Sequence, residues 1–356
     1  MENIIVTTMP IKPQPKTNIG MCFAPLVSEI VAKNLECKSI LSTNLLHSYK
    51  NENEFLPVYT KTLEEFGIEY DELFVDKEHV DILLECINEL IKQKKIVEKE
   101  NTVLSCPCGK VDIIEQGIRN FDSGDLYIKQ GNNIYCKLCG GKCKLHSRTD
   151  LYLYLDYNGI YNVDIIPNFL NLDLSHFYKS LPGNYILVSK NRETGYKIKA
   201  LSGNEYNLDI DLLWMNYIQC FNEENQILIA SNHQLFEMFI LNYINNISGE
   251  KNLNFIATPY MNKTELDIFY ELNKFDDELY KKIALLYTLK WKNKNCDWDS
   301  TIFKGVARLG NENRIDLYEI ITSGFTEDIN DITKYINDYL LRHISMQKNI
   351  KTLKRR

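Results

Sequence analysis

Along the first hundred positions, apolar residues come as short unbroken runs, and each run is followed by a stretch in which they return every third or fourth residue. The run Ile4-Ile5-Val6-Thr7-Thr8 predicts a strand covered on both faces, and the spacing over 22–35 predicts a helix. Ser39-Ile40-Leu41-Ser42 and Glu72–Val75 predict the next two strands, with helices over 54–66 and 80–94. Strands that alternate with helices pair in parallel through right-handed crossovers, so the predicted fold class is α/β, a Rossmann-like doubly wound parallel sheet. Ligands of such sheets sit beyond the carboxyl ends of the strands. That places the loop at 9–21, with Pro10, Pro13 and Pro15, at the entrance to a site.

From about 97 to 148 the pattern gives way to Gly- and Cys-rich turns with strand-like pieces at 125–128 and 133–135, which predicts a small metal-held insertion. Beyond it, 151–167 and 185–199 read as extended, 209–220 as helical, and 226–230 as a buried strand followed by a helix over 233–247. A last strand at 254–257 precedes a loop at 258–264. The rest is mostly helical and closes on a long amphipathic helix at 328–356 with a basic end. The expected organisation is a first Rossmann half at 1–95, a zinc-binding insertion at 96–150, a second half with a signature loop at 151–265, and a helical region at 266–356.

Composition narrows the function classes. With 44% hydrophobic and 25% charged residues in 356, disorder is excluded. The formal charge of −7 would repel a polyanion, so no DNA partner is expected and any nucleic-acid contact must be local. No long apolar run and no leader pattern are readable, so a cytoplasmic protein with no membrane partner is expected.

Five of the ten cysteines lie between 106 and 143. Cys106-Pro-Cys108-Gly and Cys136-Lys-Leu-Cys139-Gly-Gly each resemble a knuckle, in which glycine after a thiolate lets backbone amides turn toward sulfur. Four such ligands and no open position predict structural Zn2+ held by Cys106, Cys108, Cys136 and Cys139. Cys143 and His146 are substitute ligands, and reduced, unliganded thiols are the alternative.

The order of these features resembles the class I aminoacyl-tRNA synthetases, most closely the methionyl type. That family has a T-T-x-P stretch after its first strand, an H-I-G-H signature opening the first helix, a zinc-bearing insertion and a K-M-S-K-S loop after the last strand. Here Thr7-Thr8-Met9-Pro10, Asn18-Ile19-Gly20-Met21 and Tyr260-Met261-Asn262-Lys263-Thr264 occupy the corresponding places. Leu213-Trp214-Met215-Asn216 resembles its V-W-F-D, and Ile229-Ala230-Ser231-Asn232-His233 stands where its G-K-D strand end falls. The likeness spans roughly residues 3–300 and implies ATP with Mg2+ as substrate. It implies catalytic roles for Lys263 and Asn18, and nucleotide contacts from Thr8, Gly20, Met21 and Thr264. An acyl pocket would be shaped by Met9, Leu45, His47, Trp214, Asn216 and His233.

The departures bear on chemistry. In the family, the signature histidines and lysines stabilise charge on the phosphates; Asn18 carries no charge, Met21 donates nothing from its side chain, and Tyr260 replaces a cation. Losing two or three such contacts, each worth about 2–4 kcal/mol, slows adenylation by several orders of magnitude. Thr43-Asn44-Leu45-Leu46-His47 stands where the methionyl type has G-T-D-E-H, so Leu45 replaces the carboxylate that holds the substrate ammonium, and Asn216 replaces another Asp. About ninety residues follow Lys263, too few for a full anticodon-binding bundle. By residue type alone, Asn18 reads as a helix N-cap, His47 and His233 as hydrogen-bonded structural residues, and Trp214, Tyr217 and Phe236 as core. The expected activity is a divergent, shortened methionyl-type ligase that binds ATP and activates an amino or carboxylic acid for a tRNA acceptor end, a carrier-protein thiol or a small amine. The alternative is a catalytically inactive binding or regulatory module, and a zinc-dependent nucleic-acid binder is a third reading.

Overall fold

The computed structural model describes residues 4–15, 17–46, 54–108, 112–114, 118–119, 127–155, 165–180, 185–191, 195–248, 251–261, 277–289, 295–296, 306, 308–309 and 311–324. The chain begins with β1 (Ile4–Thr8), α1 (Gly20–Asn34), β2 (Lys38–Thr43), α2 (Phe55–Glu65), β3 (Glu72–Val75) and α3 (Val80–Lys92). It then passes through β4 (Ile96–Ser105), β5 (Asp112–Ile114), β6 (Ile118–Arg119), β7 (Tyr127–Gln130), β8 (Asn133–Cys136) and β9 (Lys144–Tyr154). After β10 (Ile165–Ile166) come α4 (Asn171–Ser180), β11 (Tyr185–Leu187), β12 (Lys197–Lys199), β13 (Glu205–Asn207) and α5 (Ile210–Trp214). The last described elements are β14 (Asn225–Ser231), α6 (Leu235–Ser248), β15 (Asn252–Thr258), β16 (Tyr260–Met261), α7 (Glu278–Thr288), β17 (Asn295–Cys296) and α8 (Asn311–Gly324).

The central sheet has the order β10-β15-β14-β1-β2-β3, and all its pairings are parallel. Successive residues of each strand enter opposite cores. Ile5, Ile40, Leu228 and Phe255 join one apolar cluster with α3 and α6, while Val6, Leu41, Ile229 and Ile256 join a second with α1, α2, α7 and α8. Helices on both faces are what two-sided burial requires, and the structure is the doubly wound Rossmann-like class that the runs predict. Neighbouring strands β1 and β14 lead away in opposite directions across the sheet, and the crevice at such a reversal is where ligands bind.

The insertion is more ordered than its Gly- and Cys-rich composition suggests. Strands β4 and β9 pair antiparallel from Ile96↔Leu153 to Ser105↔Lys144, within a second sheet ordered β5-β4-β9-β11-β6. Helix α4 lies between the two segments read as extended, 151–167 and 185–199, and the helical reading of 209–220 divides into α5 and a separate 3-10 turn at Tyr217–Cys220. The predicted helix at 328–356 lies outside the described residues. No helix of the described residues is long and apolar enough to cross a membrane.

Buried Glu29 fixes α1 to the C-terminal helices. Its Oε1 accepts from Lys33 Nζ at 2.7 Å and from Lys282 Nζ of α7 at 2.6 Å, and its Oε2 accepts from the Glu69 N–H at 3.2 Å.

Candidate functional site

The carboxyl ends of β1, β2, β14 and β15 open into a cleft of about 820 Å³. One lip carries Asn18, Gly20 and Met21, and the other carries Tyr260 and Met261, about 240 positions later in the chain. The lips touch at their base. A β-carbon placed on Gly20 would stand 3.6 Å from Met261 Cβ and 3.1 Å from Asn18 Oδ1, so the absent side chain at position 20 is what lets the two segments approach.

Asn18 closes the start of α1. Its Oδ1 accepts from the Met21 N–H at 3.1 Å, while the Asn18 and Ile19 carbonyls accept from the Met21 and Cys22 N–H groups. Two of the early amides that a helix presents to an anion are thus bonded within the chain, and the helix dipole remains. One turn on, Pro25 has no N–H for the Met21 carbonyl, and the fully buried Tyr59 hydroxyl donates to that carbonyl at 2.9 Å. Burial holds the Tyr59 phenol well above its usual titration range, so it stays protonated as the donor.

His233 follows β14 in the turn Asn232–Gln234, where Ser231 Oγ accepts from its N–H at 3.4 Å and Gln234 Oε1 accepts from the Ser231 N–H at 3.3 Å. Its imidazole stacks on the Tyr260 ring with centroids 4.9 Å apart and planes inclined by 27°. Trp214 reaches the cleft from α5 and donates its indole N–H to Asp211 Oδ1 at 3.0 Å. Burial and the nearby Asp211 push the Glu237 carboxyl of α6 up to about 7, and its Oε2 finds no hydrogen-bond partner among the described residues. Among the described residues lining the cleft there is no Asp, Glu or Arg, and Lys12 is the one lysine.

Of the residues the sequence assigned to this site, the structure brings Asn18, Gly20, Met21, Trp214 and His233 together around the cleft. Four others lie elsewhere. Thr8 is buried, with its Oγ1 accepting from the Ser42 N–H at 2.9 Å, and Met9 is buried with its N–H on the Ile229 carbonyl. Leu45 is buried and donates its N–H to Asp76 Oδ1 at 2.7 Å. Asn216 points back along its own helix, donating to the Leu212 carbonyl at 2.8 Å. Tyr217 is core, its hydroxyl donating to the Thr8 carbonyl at 3.3 Å. His47, Lys263 and Thr264 lie outside the described residues. The cleft also recruits Lys12, Gln14, Asn44, Gln234 and Thr258, which the sequence reading did not single out; their position just past strand ends is the signal that marks them.

In the insertion, the sulfurs of Cys106, Cys108, Cys136 and Cys139 all lie within 4.8 Å of one another. A zinc–sulfur bond of about 2.3 Å places tetrahedral thiolates about 3.8 Å apart. Here Cys106 and Cys108 are separated by 3.2 Å, and Cys108 and Cys136 by 3.7 Å, so the quartet fits a structural S4 site. Backbone amides point at sulfur as a knuckle requires, from Leu138 to Cys136 and from Gly141 to Cys139, each at 3.4 Å. The Gly141 amide and the Cys108 side chain lower the Cys139 thiol to about 7, toward the thiolate a metal takes. Gly140 is required by its φ of +66° in the turn after Cys139, and Gly141 by the meeting of the two knuckles, since a β-carbon there would stand 2.9 Å from Pro107 Cδ. Cys143 is buried against Cys106 and Cys136, and His146 is exposed on β9.

No protein-family model matches the sequence, and no curated protein matches it at the sequence level. In three dimensions the chain matches Mycobacterium tuberculosis methionyl-tRNA synthetase in complex with methionyl-adenylate at TM-score 0.69 and 9% identity, over 98% of this chain and 84% of that one. A second structure of that enzyme bound by methionyl-adenylate gives the same figures, and its apo form gives TM-score 0.68 and 11% identity over 98% and 82%. With so little sequence in common, the likeness is one of architecture: the chain has the fold of the methionyl-tRNA synthetases.

Proposed function

We propose that the chain is a divergent methionyl-type synthetase-like ligase whose cleft takes ATP with Mg2+ and an amino or carboxylic acid. A carboxylate oxygen of the acid attacks the α-phosphorus, the bond to the pyrophosphate oxygen breaks, and acyl-adenylate and pyrophosphate result. The observation that carries this reading is the meeting of the 18–21 and 260–261 segments at one cleft beyond the strand ends. Gly20 leaves room for the nucleotide against α1, with Met21 beside it, and Asn18 positions that turn. Lys263 and Thr264, following Met261 in sequence, supply the cation and hydroxyl for the phosphates. Trp214 and His233 shape the acyl side, and a tRNA acceptor end or a carrier-protein thiol receives the acyl group. The zinc of the cysteine quartet is structural, and the protein works in the cytoplasm.

A second reading, a nucleotide-binding module without catalysis, draws on the apolar, cation-poor lining and on Asn18 being engaged with its own helix. ATP–pyrophosphate exchange across a panel of amino and carboxylic acids separates the two. Acid-dependent exchange abolished by Lys263→Ala supports the ligase. Silence across the panel, with ATP still raising the melting temperature, leaves the binding module.

A further inference from the structure

Of the ring pair beside the cleft, Tyr260 has no part in the roles above, and His233 enters them only as a wall of the acyl side. We propose that the exposed face of Tyr260, backed by His233, is the platform on which the ligand's nucleobase stacks, so that the cleft recognises its nucleotide through the nucleoside end and gains little from the outer phosphates. This rests on the reading of the cleft as a nucleotide site.

The pair is built rigidly. Its rings lie 4.9 Å apart at 27°, Tyr260 keeps 39% of its surface exposed, and His233 is exposed. Tyr260 is held in β16 opposite Asn295, and the Ser231–Gln234 capping box fixes the turn that carries His233. The two rings follow adjacent parallel strands that end level, Ser231 opposite Thr258, so the sheet itself delivers them together. A fixed aromatic face stacks a base without needing any charge.

Charge in the cleft points the same way. Phosphate binding is carried by cations and charge-assisted donors, and the described lining offers Lys12 and no arginine. Asn18, Met21 and Tyr260 stand where the resembling family carries two histidines and a lysine. The exchange that removes a cation at position 260 is the one that supplies the ring.

Calorimetric titration of the full chain with adenosine, AMP, ATP with Mg2+, and inorganic triphosphate tests the platform. The expected result is that adenosine and AMP bind within about tenfold of ATP, and inorganic triphosphate does not bind. Tyr260→Ala is expected to weaken AMP roughly 5- to 150-fold, Tyr260→Phe to preserve it, and Tyr260→Lys to lose adenosine while gaining inorganic triphosphate. Thermal melts establish that each variant is folded. Wild-type affinity of folded Tyr260→Ala for AMP, or inorganic triphosphate competing with ATP as well as AMP does, overturns the platform and leaves a phosphate-led nucleotide site. Failure of all four ligands to bind the wild-type protein removes the nucleotide reading, and the platform with it.

Discussion

Gly20 and Met261 meet at the base of the cleft, with 3.6 Å between Met261 Cβ and the place a β-carbon on Gly20 would take. The contact joins the start of the first helix to the segment after the last central strand. A bulky side chain at position 20 has nowhere to go except into the cleft or against Asn18. Gly20→Leu is therefore expected to weaken ATP binding at least tenfold, which costs about 1.4 kcal/mol, with the central sheet still folded. Calorimetry together with far-UV circular dichroism checks both halves, and unchanged ATP affinity would refute the placement.

Tyr59 substitutes for the N–H that Pro25 lacks. Tyr59→Phe leaves the Met21 carbonyl without its buried donor and is expected to cost about 1–3 kcal/mol in chemical denaturation. A variant as stable as wild type would show that the carbonyl finds another partner.

The helical region after the sheet is held to α1 through Glu29 and Lys282, both largely shielded from water. Lys282→Met removes one charged donor and leaves Glu29 with Lys33 and the Glu69 N–H, so it should destabilise the protein by about 1–3 kcal/mol, and Glu29→Gln/Lys282→Met by less than the sum of the two single losses. Additive losses in the double variant would contradict the pairing.

Glu237 has a pH signature of defined sign. Its folded-state value of about 7 lies above the ordinary glutamate value, so the folded chain holds the proton more tightly than the unfolded chain. Stability contributed by this group is full below about pH 4, falls as pH rises toward 7, and is flat above, a loss of about 3–4 kcal/mol. Glu237→Gln should flatten that part of the pH–stability curve measured by urea denaturation. An unaltered slope would count against a desolvated carboxyl at this position.

The cysteine quartet should bind one zinc per chain, measured by elemental analysis of the purified protein. Cys136→Ser should lose the metal, while Cys143→Ser should keep it, because the Cys143 sulfur lies outside the group. Retention of zinc by Cys136→Ser would move the site elsewhere.

The parallel sheet was legible because its strands are buried on both faces and read as unbroken apolar runs, as in Ile4–Thr8 and Asn225–Ser231. The long β4–β9 pair was not. Glu98 and Lys99 are only partly buried and Glu100 is exposed, and their charges mask the alternation that marks a half-covered strand. Helix α4, Asn171–Ser180, escaped for a related reason: its apolar residues form only a weak stripe. For the site, sequence order singles out two segments, 18–21 and 260–261, that line one cleft, but it does not determine which way a residue near a strand end faces. Leu45 and Met9 turn into the core and Asn216 turns back on its helix, whereas Lys12, Gln14 and Thr258 face the cleft.

The most direct test is a crystal structure of the full chain soaked with a non-hydrolysable ATP analogue. We expect the adenosine between the Gly20–Met21 turn and the Tyr260 ring, at the carboxyl ends of β1 and β14. Nucleotide density at any other surface, or a cleft without nucleotide at saturating analogue, would contradict the account.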